Sequence, residues 1–235
     1  MSQSIEYKLM KGDLLTTSCL HGGPIEISKL PELNNELGMR FLRECEEKYG
    51  ASGILAIDRT KIVGILRFYP EEIFDLFDTS LCIHNKLQNE KASVEEGSIL
   101  PPKEELSGSI RFQCIQVATG YYQAEQDYGN KGIAKHLFDT LISWAKDNSF
   151  DIIRSAAINK VPPLMMWSGL YPHTSLESLG FEVKTVRVSE SIKEVIENQQ
   201  QGHHGQDVKQ SWSDYKNEPL DQLAQVYDMQ LKLKS

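Results

Sequence analysis

The chain has 235 residues, with 25 Lys and Arg against 33 Asp and Glu and a formal net charge of -8. That acidic balance excludes a protein whose main task is to coat nucleic acid or an anionic membrane, since both need a basic surface. With 40% hydrophobic and 25% charged residues, the composition is that of a soluble folded domain, enlarged by additions, and not of a disordered or collagen-like chain.

Ile5 to Leu15 is compatible with a strand. Leu30 to Tyr49 turns helical, with Leu33, Leu37, Phe41, Leu42 and Cys45 recurring at steps of three and four, and Gly50 is placed to end the helix. Two apolar runs, Gly53 to Ile57 and Ile62 to Phe68, flank Asp58-Arg59-Thr60-Lys61 and predict a β-hairpin with a short polar turn. Residues 71 to 108 carry three basic and nine acidic groups and finish in Pro101-Pro102, so they read as an acidic insertion. Ser109 to Ala118 suits a strand, and a polar stretch from Thr119 to Tyr128 follows.

The clearest helix comes next: Ile133, Ala134, Leu137, Phe138, Leu141, Ile142 and Ala145 repeat as pairs four residues apart, which gives one buried face. Phe150 to Ile158 then reads as a strand. Strand, helix and strand in this order predict a βαβ unit with parallel strands and a right-handed crossover, hence an α/β fold, α+β by some schemes.

Further on, Thr174 and Glu177 have the spacing of a capping box, Gly180 sits where a glycine would stop a short helix, and Phe181 to Val188 alternates as a closing strand would. The expected organisation is one domain over residues 1–188, with the insertion at 71–108. A C-terminal extension over 189–235 would consist of a helix near Ile192 to Glu197, a Gln/Gly/His linker and an amphipathic helix near Leu220 to Leu233.

Cys19, Cys45, Cys82 and Cys114 include no C-x-x-C pair, and the six histidines add no zinc-ligand spacing, so reduced thiols and no metal are expected. His203-His204, between glycines in a Gln-rich run, reads as loop. The opening MSQSIEYKLMKG lacks the apolar stretch of a secretory signal, and nothing approaches the ~20 apolar residues of a membrane span. The expectation is a cytoplasmic protein with neither membrane nor nucleic acid as partner.

The residues most informative about chemistry are Gly129-Asn130-Lys131-Gly132-Ile133-Ala134, directly before the best helix. A helix start projects unpaired N–H groups and carries partial positive charge, and glycines let the loop come close enough to surround a phosphate or pyrophosphate. The spacing is neither G-x-x-x-x-G-K-[ST] nor G-x-G-x-x-G. A tight turn followed by a small-residue helix start, needed only for packing, is the plainer alternative.

The order strand, helix, hairpin, strand, G-x-x-G-[IV]-[GA] loop, helix, strand, short helix ending in Leu179-Gly180-Phe181-Glu182, strand resembles the GNAT superfamily of acyl-CoA-dependent N-acyltransferases. The match covers roughly residues 51 to 70 and 109 to 188 well and residues 5 to 50 more loosely. It does not cover residues 71 to 108 or the tail. The resemblance implies a single mixed, mostly antiparallel sheet with a central parallel βαβ pair and helices on both faces. It also implies acetyl-CoA as cosubstrate and transfer of its acyl group to a small-molecule or peptide amine. Main-chain N–H groups of Gly129, Asn130, Lys131, Gly132, Ile133, Ala134 and Lys135 would hold the pyrophosphate. The N–H near Val117 would polarise the thioester carbonyl, and Asn159 would meet the cofactor.

The chain departs from that pattern in places. Gly129 stands where Arg or Gln is usual, and Leu176 stands where many members carry the tyrosine that protonates the leaving thiolate. Tyr171 is the first substitute, with Tyr121, Tyr122 and Tyr128 as others. Glu125 or Asp127 could serve as the base, or a water chain could. Cys114, on a strand near the thioester, is a candidate acyl acceptor as well as a packing residue, whereas His136 and His173 read as structural. A binding module of this fold that holds an acyl-CoA without turnover is the alternative function. A third is an interaction protein, in which the insertion and tail recruit a partner or build a homodimer.

Overall fold

Residues 4–20, 23–77, 100–118, 128–201 and 210–233 are described by a computed structural model. They divide into two units, one of Met1–Ile153 with Leu233–Ser235, the other of Arg154–Lys232.

In the first unit, β1 (Glu6–Leu9), β2 (Ile25–Glu26), β3 (Gly53–Asp58), β4 (Lys61–Pro70) and β5 (Ser109–Val117) form the sheet. β1 pairs with β3, β3 with β4, and β4 with both β5 and β2, all antiparallel. The predicted hairpin forms: Asp58 pairs with Lys61 across Arg59-Thr60, and Arg59 takes φ 59°, the positive φ that a two-residue hairpin turn asks for.

The predicted helix over 30–49 is two helices, α1 (Leu30–Leu33) and α2 (Glu36–Tyr49). The break is Asn34-Asn35. Asn35 is extended, and its Oδ1 accepts the Gly38 N–H at 2.6 Å, because asparagine satisfies a helix start better than a helix interior. Gly50 ends α2 at φ 89°, as expected. The expected strand from Ile5 stops at Leu9, where the chain turns through Gly12–Leu14 and then runs irregularly with Thr16 and Thr17 buried.

Helices cover both faces of this sheet. On one, Phe41, Leu42, Cys45 and Tyr49 of α2 pack on Leu55, Ile57, Ile62 and Ile65. On the other lies α4 (Ile133–Asp147), burying Leu137, Phe138, Leu141, Trp144 and Ala145. Trp144 meets Phe68 at 4.5 Å between ring centres, and Phe138 meets Phe112 at 5.0 Å. Gly64 on β4 permits the approach of the helix opening, since a Cβ there would lie 2.8 Å from Ile133 Cγ2 and 3.2 Å from Leu137 Cδ1.

α3 (Glu71–Phe77) opens the acidic insertion. The insertion's two ends are tied to the sheet unit. The Glu71 carboxylate pairs with the Arg111 guanidinium, and the Ser107 N–H donates to Glu72 Oε1 at 2.6 Å. The Tyr49 hydroxyl donates to the Pro101 carbonyl at 2.7 Å. Residues 78–99 lie outside the described residues.

β6 (Ile152–Ile158) begins in the first unit. The Asp151 N–H donates to the Gly108 carbonyl at 2.8 Å, so β6 sets out beside the start of β5 and in the same direction. β5, α4 and β6 are therefore the expected βαβ unit, within a sheet that is otherwise mostly antiparallel.

The second unit continues with α5 (Pro162–Ser168), β7 (Tyr171–Pro172), α6 (His173–Glu177), β8 (Glu182–Val188), α7 (Glu190–Gln201), α8 (Leu220–Leu223) and β9 (Gln225–Lys232). β7 runs parallel to β6, and β9 lies between β6 and β8, antiparallel to β8. Two expectations change. The expected capping box is absent, because α6 starts at His173 after Pro172, with no side-chain cap, and Thr174 falls inside it. Gly180 nonetheless stops the turn at φ 91°, with the Phe181 N–H bonded to the Leu176 carbonyl at 3.1 Å.

The tail differs more. The amphipathic helix expected over 220–233 is only the four residues of α8, and the rest is β9. Leu220, Leu223, Ala224 and Tyr227 fit a helical step, but Val226 and Met229 are the residues of the following run that become buried, once its main chain pairs with β8. Within the tail, Gln225–Lys232 thus supply a strand of the sheet. Ile192, Ile196, Trp212 and Val226 share one core, in which Trp212 Nε1 donates to Gln199 Oε1 at 2.9 Å.

Candidate functional site

β5 and the candidate anion loop both belong to the first unit. The Ala118 N–H donates to the Val63 carbonyl at 2.9 Å, and Gly64 is the register partner of Val117. Main-chain groups of successive strand residues point to opposite edges, so the Val117 N–H is directed away from β4. This is the orientation needed to polarise a carbonyl lying along that edge.

The loop itself is built from left-handed residues. Asn130 has φ 56° and Gly132 φ 74°, and Gly132 is the N-terminal cap of α4, with no side chain capping the helix. The N–H of His136 bonds back to the Gly132 carbonyl at 3.2 Å, which leaves Ile133, Ala134 and Lys135 as the donors ahead of the helical ladder. Gly129 is half-buried, Asn130, Lys131, Gly132 and Lys135 are exposed, and Ile133 is anchored in the core. A multiply anionic group fits here on the chemistry of the donor set: main-chain N–H groups at an exposed helix start, and lysines on either side of Gly132.

Tyr128 fastens the loop. It is 3% exposed, its N–H donates to the Ala118 carbonyl at 3.0 Å, and its hydroxyl donates to Asp58 Oδ2 at 2.8 Å. Lys131 Nζ sits 4.5 Å from the centre of its ring. Burial, and then the hydrogen bond to Asp58, push its hydroxyl from the ordinary 10.0 up to about 12; with its hydrogen committed to Asp58, it positions the loop. Because the folded value is the higher one, the contribution is complete below pH 10.0 and is lost as the pH rises towards 12. Tyr128→Phe is expected to cost about 1–3 kcal/mol, to weaken binding at the loop, and to flatten the alkaline end of a stability profile recorded by denaturant titration.

The remaining expected residues lie elsewhere. Glu125, with Tyr121, Tyr122 and Asp127, lies outside the described residues. Tyr171 and Asn159 are both in the second unit, where Tyr171 is the register partner of Ala157 on β6. Burial raises the Tyr171 hydroxyl above its usual pKa. Asn159 is held by the tail: its Nδ2 donates to the Gln222 carbonyl at 2.7 Å, and its Oδ1 accepts from the Tyr227 hydroxyl at 3.0 Å. Cys114 is buried, and burial raises its thiol to about 12. A thiol that stays protonated makes a poor acyl acceptor, so the packing reading is the better one.

A second concavity went unforeseen in the sequence. A groove of about 800 Å³ runs along α2, floored by Leu15, Leu30 and Met39 and edged by Asp13, Glu36, Arg43 and Glu46. It exists because the irregular run after β1 folds over the helices, with the Gly12 N–H at 3.1 Å from Glu46 Oε2 and the Thr17 N–H at 2.9 Å from Asn34 Oδ1. Glu36, Met39, Arg43 and Glu46, at steps of three and four on one helix, were the available signal, but the second wall comes from a segment with no periodicity. Among the described residues no group of three or more metal-ligating side chains converges, and no helix is long and apolar enough to cross a membrane.

By sequence, no family model and no curated protein matches the chain. By structure, it is similar to several acetyltransferases. The ribosomal-protein-S18-alanine N-acetyltransferase from Escherichia coli is 9% identical, with a TM-score of 0.46 over 99% of this chain and 96% of that one. A ribosomal-protein-alanine N-acetyltransferase from Brucella melitensis is 14% identical, with a TM-score of 0.43 over 86% and 80%. A GNAT family acetyltransferase from Elizabethkingia anophelis with acetyl-CoA bound is 14% identical, with a TM-score of 0.37 over 80% of each chain. The chain's own strand order and β5–α4–β6 unit give the mixed, mostly antiparallel sheet with a parallel pair that the sequence resemblance implied.

Proposed function

We propose that the chain is an N-acetyltransferase, moving the acetyl group of acetyl-CoA to a primary amine by direct attack in a ternary complex. The observation that carries this reading is the uncapped opening of α4, where Asn130 and Gly132 turn the chain so that the N–H groups of residues 131–135 can surround an anion. Acetyl-CoA supplies the activated thioester and, in its pyrophosphate, the anion. The chain would hold that pyrophosphate at Gly129 to Lys135 and polarise the carbonyl with the Val117 N–H. Catalysis would rest chiefly on positioning. As the C–N bond forms and the C–S bond breaks, the amine would lose a proton to Glu125 or to water. A proton from water would return to the sulfur.

The acid-edged groove beside α2 suits an acceptor that arrives as a cation. Neither nucleic acid nor a membrane is called for, and the buried thiols of Cys45 and Cys114 suit the cytoplasm. One observation favours a second reading, a module that binds acyl-CoA without turnover: Leu176, in the place of the usual tyrosine, is fully buried.

Thiol release from acetyl-CoA across a panel of amines, peptides included, separates the two. The first reading expects turnover with at least one amine, reduced tenfold or more by Gly132→Val, because a β-branched residue at φ 74° is strained by about 1–2 kcal/mol and distorts the donors. Saturable binding with no release from any amine supports the module instead.

A further inference from the structure

Four large apolar side chains stand exposed among the described residues, and three of them, Val183, Val186 and Val188, are on β8 at 36%, 50% and 40%. A regular strand would put Val183 on the face opposite to the other two. The register does not: Val183 pairs with Met229 and Thr185 with Asp228, so Lys184 is an extra residue, and beyond it Val186 pairs with Tyr227 and Val188 with Gln225. Met229, Tyr227 and Gln225 share one face of β9, and the three valines therefore share one face of β8. Glu182, Thr185 and Arg187 share the other. β8 also ends the strand order, so one of its edges has no neighbouring strand among the described residues.

We propose that this edge and its valine face are where two copies of the chain associate, β8 against β8, antiparallel about a two-fold axis. The argument for a second copy is that β8 is complementary to itself reversed. With Val183 set opposite Val186 of the second copy, Glu182 falls opposite its Arg187, and the symmetry repeats both matches. Valine meets valine on one face, and carboxylate meets guanidinium on the other. A shift by one residue sets Val183 against Arg187 and Glu182 against Val188, losing both matches, so one register is selected. In the single chain Glu182 is held by Lys184 at 2.6 Å, an exposed pair that exchanges readily. Lys184 at the bulge disfavours indiscriminate pairing of the edge and leaves the matched partner as the one accepted.

The test is sedimentation of the full chain from low to high micromolar concentration. A reversible dimer is expected. Arg187→Glu, which sets carboxylate against carboxylate, and Val186→Glu should each weaken it about tenfold or more, and combining Glu182→Arg with Arg187→Glu should restore it. All of these side chains are exposed, so unchanged melting temperatures would show that the variants act on association and not on folding. A monomer at every concentration, a dimer indifferent to the single changes, or a double variant that fails to recover would each overturn the proposal.

Discussion

Gly64→Val is expected to destabilise the chain by roughly 3 kcal/mol and, in the same protein, to weaken acetyl-CoA binding. The two effects share one cause. Gly64 lies on β4 under the first turn of α4, where a Cβ would sit 2.8 Å from Ile133 Cγ2, 3.0 Å from the Ala56 Cβ and 3.2 Å from Leu137 Cδ1. Ile133 and Leu137 are buried, at 2% and 0% exposure, and cannot turn away into solvent. The added atoms must lift the helix opening from the sheet, and Ile133 is the first residue of α4 and one of the candidate donors. Denaturant titration measures the stability, and calorimetry at a temperature where the variant is folded measures the affinity. Loss of stability with full affinity would mean that the loop is held independently of the packing of α4.

Arg67→Ala is the second large effect, about 3 kcal/mol, or a melting temperature lower by roughly 6–12 °C for a chain of this size. Arg67 is fully buried in the middle of β4. Its Nη1 donates to the Thr16 carbonyl at 2.8 Å and its Nη2 to the Ser18 carbonyl at 2.5 Å. Truncation leaves the buried Thr16 carbonyl and the half-buried Ser18 carbonyl without that donor and opens a cavity. Removing the charge also removes the cost of keeping a guanidinium from water, which is why the expected loss is below the sum of the separate penalties. The same carbonyls belong to the run that forms one wall of the groove beside α2, so affinity for a cationic acceptor should fall with stability. Arg67→Met, which keeps the volume but not the hydrogen bonds, should recover only the part due to the cavity. Full recovery would assign the role of Arg67 to packing.

These two residues also show where sequence reading succeeds and where it stops. The β5–α4–β6 unit was legible because the apolar pairs of α4 repeat over four turns and the flanking strands carry recurring apolar residues, Ile110, Phe112 and Cys114 in one and Ile152, Ile153, Ala156 and Ala157 in the other. The turn before α4 was legible as a turn, because glycine accepts the left-handed φ of 74° that Gly132 takes. Arg67 was visible as a charge inside an apolar run, but what it holds lies about fifty residues away in a segment without periodicity. The same distance hid the groove. Tyr128 could be picked out as an aromatic near the loop, yet its role as anchor depends on Asp58, seventy residues away. In the tail, helical and extended patterns both fitted, and only pairing with β8 decided for β9. Asn159 fits the end of its strand by type, but its amide is committed to Gln222 and Tyr227, partners that the sequence does not place beside it.

The central claim is that the opening of α4 holds the pyrophosphate of acetyl-CoA, and calorimetric titration tests it most directly. The full chain should bind acetyl-CoA and CoA saturably at micromolar concentrations, and acetylpantetheine, which lacks the pyrophosphate, at least about tenfold more weakly. Absence of acetyl-CoA binding at high micromolar concentration, or equal binding of acetylpantetheine, would contradict it.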